Sequence, residues 1–176
     1  MKLNKYFFEA LKTRLENILR SLSGKRKSCI TWGSATATDV VNKVTLVPRS
    51  EIVPGVPASL AELLVFYKAC VAHEGAHIKY TSKKDWEKAC ARGPAFQHLT
   101  NIIEDGRIEA AISRDLPGAG RWLRFANNYI FRHRASWGEG VTAFLIGLAA
   151  YSVAGQIPDV DPETKRLIKL AAPWVD

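Results

Sequence analysis

Cysteine is scarce in this sequence and unpaired. Cys29, Cys70 and Cys90 are odd in number and form no C-x-x-C pair, which argues against a secreted disulfide scaffold. Reduced thiols in a cytoplasmic setting are expected instead. Long apolar runs are missing as well. The longest, Val141 to Val153, contains Gly147 and falls short of the about 20 residues that span a bilayer, so no membrane partner is expected. The segment Met1 to Leu22 is charged and amphipathic and lacks the apolar centre of a secretory leader. Internal repeats, low-complexity tracts and long linkers are all absent. Acidic residues are the minority charge: 25 Lys and Arg against 17 Asp and Glu leave a formal net charge of +8. Such a balance suits an acidic partner (nucleic acid, a phospholipid surface or an acidic protein) or a solvated basic face.

What is present is an ordinary globular composition. Over 176 residues, 47% are hydrophobic and 24% charged, enough to bury one core and too apolar for a disordered chain. Phe7, Leu11, Leu15, Ile18 and Leu22 recur at three- and four-residue steps and predict a helix over 3–22, stopped by Gly24. Lys25-Arg26-Lys27 then reads as a solvated basic turn. Two β-branched stretches, 28–32 and 43–48, predict short strands in antiparallel pairing, closed off by Pro48, Pro54 and Pro57.

Ser59-x-x-Glu62 has the form of a capping box and opens a second helix that ends near Thr81 and Ser82. Residues 83–93 form a short connection anchored by Trp86, and Pro94 starts a largely buried helix that runs to Leu116. A helix over 120–135 follows. Ser136-Trp137-Gly138-Glu139 looks like a second capping box ahead of an apolar helix over 141–154, and Asp161-Pro162-Glu163 opens a last one ending at Ala171. The fold class expected is therefore α+β, mainly helical, with a small antiparallel sheet near the N-terminus.

The chemistry concentrates in Ala72-His73-Glu74-Gly75-Ala76-His77-Ile78, which holds the pattern H-E-x-x-H. Positions i and i+4 share one face of a helix, so His73 and His77 can offer two imidazoles to one metal ion. Glu74 is offset around the same helix, where a carboxylate can act as general base on a water. Catalytic zinc takes three protein ligands and keeps a fourth position for water. Among the downstream acids Glu104 is the first candidate for the third ligand. Asp105 is the alternative, with Glu109 one turn on as its outer partner and Asn101 on a neighbouring part of the same face.

Three acids and Arg107 inside an apolar helix are costly unless paired or bound to metal. Glu104 therefore has a second reading, as the ion-pair partner of Arg107 or Arg114. Cys70, one turn before His73, reads as a small buried hydrophobe. His98 and His133 read as structural or exposed. An oxyanion stabiliser is required, and Tyr80, His98, Tyr129, His133 and Tyr151 all remain open for that role. The strand Val44 to Val47 is expected to hold an extended peptide by backbone pairing.

His73-Glu74-x-x-His77 followed by Asn101-x-x-Glu104-Asp105-x-Arg107-Ile108-Glu109 resembles the zincin-type domain of bacterial and phage metallopeptidase-like proteins. That domain often precedes a von Willebrand A module, and some members are related to cobaltochelatase subunits. Ala35-Thr36-Ala37-Thr38-Asp39 is similar to what these proteins carry ahead of the motif helix, and the likeness covers roughly Ser34 to Ile112. It implies a gluzincin-like fold with one zinc ion held by His73, His77 and Glu104, and Glu74 as base. No von Willebrand module follows in the sequence, so a stand-alone domain over 1–176 or the N-terminal domain of a longer protein is expected.

Three functions follow. The first is a zinc metallopeptidase acting on a peptide or protein. The second is a catalytically silent zincin scaffold that binds an AAA+ ATPase or a von Willebrand A protein. The third is a nucleic-acid-associated protein, drawn from the net charge and from Arg107, Arg114, Arg121, Arg124, Arg132 and Arg134.

Overall fold

The computed structural model describes residues 5–33, 37–38, 43–46, 59–134 and 136–174. These are mainly helical, with the elements α1 (Lys5–Ser23), β1 (Cys29–Trp32), β2 (Ala37–Thr38), β3 (Lys43–Leu46), α2 (Leu60–Tyr80), α3 (Lys83–Ala91), α4 (Pro94–Asp115), α5 (Pro117–His133), α6 (Gly140–Ala154) and α7 (Pro162–Ala171). A short 3-10 turn, Ala172–Trp174, follows α7.

The amphipathic stripe of α1 forms as its spacing predicts. Leu11, Leu15 and Leu22 are buried and Phe7 and Ile18 partly so, while Leu19, outside the predicted set, is buried as well. Gly24 ends the helix at φ +69°, where its N–H bonds Arg20 O at 3.0 Å. Ser59 caps α2: its hydroxyl oxygen accepts from the Glu62 N–H at 3.2 Å and donates to the Glu62 carboxylate at 2.7 Å. Asp161 caps α7 in the same manner, accepting from Thr164 N at 3.0 Å. The second predicted capping box is not one. Ser136 turns its hydroxyl onto Gly138 N at 3.1 Å, and α6 starts from Glu139 with no side-chain cap, because Gly138 and Gly140 at positive φ redirect the chain between the serine and the helix.

The sheet corrects a second expectation. Its order is β1-β3-β2, with β1 parallel to β3 (Ile30 opposite Val44) and β2 antiparallel to β3 (Thr38 opposite Val44). The polar stretch between the two predicted strands holds β2, which runs antiparallel to β3, so β1 and β3 point the same way. Val44 and Thr45 are thus flanked by strands on both sides. They offer no free edge to a substrate strand, contrary to the expected role of this segment; Val47 lies outside the described residues, as does most of the Ala35–Asp39 stretch.

Helix α2 is the hub. It packs against α1, α4 and α5, while α4 also meets α3, α5 and α6. The main core joins Leu15, Leu19, Ile30, Val44, Leu63, Tyr67 and Ile108. A smaller one, around Ile102, Leu148 and Ile168, fastens α6 and α7 to α4. Among the described residues no helix is long and apolar enough to cross a membrane.

The closeness of α4 and α6 depends on Gly106. A Cβ there would lie 3.0 Å from Ser152 O and 3.1 Å from Ser152 Cβ. Ser152 in turn bonds Ala149 O at 2.9 Å and Ile102 O at 3.3 Å. Gly106→Val should therefore force the helices apart and lower stability by about 1–3 kcal/mol, read as a shifted denaturant midpoint.

Candidate metal centre

Two helix faces build the site. On α2, Phe66, Cys70, His73 and His77 follow one another at three- and four-residue steps, with Ala69 beside Cys70. The opposite side carries Gly75, where a Cβ would come within 3.3 Å of Leu19 on α1. The absence of a side chain there brings α1 close and fixes the rotation of α2. On α4, Asn101, Asp105 and Glu109 stand at four-residue steps and face the histidines.

His77 Nε2 is 3.1 Å and His73 Nε2 3.6 Å from the same oxygen, Asp105 Oδ1. That oxygen is buried and has no hydrogen-bond partner among the described residues, so its approach to His77 is close without hydrogen-bond alignment. Tetrahedral zinc with ligand bonds of about 2.0–2.2 Å separates its ligand atoms by about 3.3 Å. The two observed spacings bracket that value, and the three ligand atoms all lie within 4.8 Å of one another. The donor set of two imidazoles and one carboxylate is one that zinc accepts.

The remaining nitrogens are held from behind. His73 Nδ1 contacts Glu109 Oε1 at 2.8 Å, and Glu109 Oε2 accepts from Asn127 Nδ2 at 2.8 Å. His77 Nδ1 contacts Thr81 Oγ1 at 3.0 Å, and Asn101 Nδ2 donates to Asp105 Oδ2 at 3.0 Å. Outer partners of this kind fix ring orientation and tautomer in metal sites.

Glu104, the first candidate for the third ligand, stands elsewhere. One residue off the Asn101–Asp105–Glu109 stripe is a rotation of about 100°. Its carboxylate takes a two-pronged bond from Arg107, with both contacts at 2.7 Å. Arg107 also donates to Tyr80 O at 2.9 Å, tying the end of α2 to α4. Burial pushes the Glu104 carboxyl up, but Arg107 and the Thr81 hydroxyl outweigh it and hold the group below the usual carboxylate range. The structure therefore brings Asp105 to the histidines and places Glu104 behind His77, against Thr81 and Arg107.

Glu74 is buried and lines a cleft of ≈380 Å³ between α2, α4, α5 and α6, together with His73, Asp105 and Glu109. Cys70 lines it too. Burial, and secondly the charge of Glu74, push the Cys70 thiol up to about 12, so it is a neutral thiol rather than a thiolate ligand.

None of the five candidate oxyanion stabilisers is among the residues lining this cleft. Tyr80 donates to Asp115 at 2.6 Å, and His133 contacts its own helix at Tyr129 O at 2.9 Å. His98 is exposed, Tyr129 packs on Phe66, and Tyr151 belongs to the smaller core. The sequence reading passed over Asn127, and it gave Thr81, Arg134 and Trp137 other roles than a place at this site. Asn127 did leave a signal: it is a polar amide on the otherwise apolar stripe Leu123, Ala126 and Ile130.

Burial alone would lower the pKa of His73. The bonded Glu109 carboxylate reverses this, and with Glu74 and Asp105 raises it from 6.5 to about 9. The imidazolium thus stabilises the metal-free fold fully below pH 6.5, and that contribution is lost as pH rises through about 9. A metal needs the neutral ring, so zinc affinity should climb with pH up to about 9, with proton release on binding visible in calorimetry run in two buffers. Asp105→Ala should lose the ion while Glu104→Gln keeps about one zinc per chain by metal analysis; the reverse pattern would restore Glu104 as the ligand. Glu109→Gln should weaken zinc binding by about 10–100-fold. Comparison with protein-family models, curated proteins and solved structures gives no match to this chain.

Proposed function

We propose that the protein is a zinc-dependent hydrolase of peptide bonds on a zincin-like scaffold, with His73, His77 and Asp105 as metal ligands and Glu74 as general base. The observation that carries the reading is the buried Asp105 Oδ1, unbonded and set beside two imidazole nitrogens. A buried carboxylate oxygen without a donor is expensive, and a cation at the shared point removes that cost. The resemblance of the H-E-x-x-H and E-D-x-R-I-E blocks to zincin-type metallopeptidase domains supports the roles of His73, His77 and Glu74; it implies Glu104 as the third ligand, where the geometry favours Asp105.

A zinc ion bound here would acidify a water and polarise a substrate carbonyl. The chain's own residues supply the rest. Glu74, buried at the floor of the cleft, accepts the proton of the attacking water and returns it to the leaving amine. Glu109 and Asn127 hold the His73 ring, and Thr81 holds that of His77. The apolar walls from α5 and α6 keep bulk water away from the floor, where low polarity strengthens each of these interactions.

Glu74→Gln keeps the size of the side chain and removes its basicity. The variant should retain zinc yet hydrolyse a mixed peptide library about 10²–10⁴-fold more slowly than wild type, followed by mass spectrometry. Equal rates would remove Glu74 from the mechanism, and a wild-type protein that purifies without affinity for zinc would sink the reading as a whole.

A further inference from the structure

The cleft is polarised from end to end. Its floor holds Glu74, Asp105 and Glu109, and its walls include Phe66, Leu123, Ile130, Phe131, Ile146 and Val153. Arg134 is the one Lys or Arg among the described residues that line it. It follows the last turn of α5, seven residues beyond Asn127, which bonds Glu109 at the floor. Seven residues of helix rise by about 10.5 Å, which sets Arg134 about that far along α5 from Asn127.

Arg134 is also fixed in place. Its Nε donates to Ser136 O at 2.8 Å, and its guanidinium lies 5.3 Å from the Trp137 ring centre. Trp137 in turn packs on Phe131 at 5.3 Å between ring centres. Some surface arginines, such as Arg107 and Arg166, have carboxylate partners, while others, such as Arg124 and Arg132, have none among the described residues and lie outside the cleft lining. Arg134 has none among the described residues. An oriented arginine with no carboxylate partner among the described residues, beside an apolar pocket, suits a carboxylate on a ligand that also carries a large apolar group.

Resting on the hydrolase reading above, we propose that the substrate is a peptide with a large apolar side chain next to the scissile bond and a carboxylate about three residues away, bound by Arg134. The length follows from the rise of about 10.5 Å between Asn127 and Arg134, since extended peptide advances about 3.3 Å per residue. The carboxylate is either the peptide's own C-terminus or an acidic side chain.

Binding can be measured apart from hydrolysis. Zinc-loaded Glu74→Gln protein is titrated with a Phe-containing pentapeptide as the free acid, as its C-terminal amide, as an amide with Glu in the third position after Phe, and as the free acid with Ser replacing Phe. The free acid or the Glu peptide should bind about ten- to a hundredfold more tightly than the neutral amide, and whichever does so identifies the source of the carboxylate. The Ser peptide should bind weakly. Adding Arg134→Gln should abolish the preference for charge, whereas Arg132→Gln, an exposed neighbour outside the cleft lining, should leave it intact. Equal binding of acid and amide, an unaffected Arg134→Gln variant, or no saturable binding of any peptide would overturn the proposal. Tight, Arg134-dependent binding with no cleavage by wild type would uphold the pocket and overturn the hydrolase reading instead.

Discussion

The structure depends on an electrostatic problem that two helices share. Helix α4 carries Asp105 and Glu109 into contact with the hub helix α2, at a place where neither carboxylate is well hydrated. Buried acids of like charge are tolerated only with compensating cations or donors. Here α2 supplies imidazoles at His73 and His77, α5 supplies the Asn127 amide and α4 itself supplies Asn101. One oxygen, Asp105 Oδ1, is left over. The rest of the helical layer is arranged so that this arithmetic comes out at one place: Gly75 lets α1 press against the back of α2, and Gly106 lets α6 approach α4.

Proton and metal are alternative solutions to that problem. With no ion bound, the charge on His73 answers the two acids of α4, which is why its pKa rises despite burial. A divalent cation would carry the same compensation closer to Asp105 and free the imidazole to act as a ligand. Stability of the empty fold and affinity for the ion therefore respond to pH in opposite directions, through the same side chain.

Much of this was legible in the sequence. The 3.6-residue periodicity located the long helices, and the Ser59 and Asp161 caps marked two of their starts because capping is a local interaction. The i, i+4 rule placed His73 and His77 together. It also placed Asp105 with Asn101 and Glu109, but could not orient that stripe. Which acid of the Glu104-Asp105 pair turns inward is set by the azimuth of α4 against α2, a tertiary quantity. The Arg107–Glu104 pair, which settles Glu104 elsewhere, is itself local and was already one of the two readings of that residue. The strand direction was missed for a similar reason: β2 is two residues long, too short for any alternation of apolar and polar positions to reveal it. Arg134 and Trp137 reach the cleft through a turn after α5, and turn geometry has no periodicity to read.

The small sheet ends the chain's first third with an edge that is already occupied. The backbone N–H of Ile30 on the outer strand β1 bonds Glu16 Oε1 at 3.0 Å, while Arg20 holds the other oxygen of Glu16 at 3.1 Å and donates to Ser28 O at 2.9 Å. A strand from another molecule that tried to pair there would have to displace a carboxylate anchored by its own arginine. A side chain thus stops growth of the sheet on this side, protecting the chain from edge-to-edge association at a β-rich segment that three strands alone could not shield.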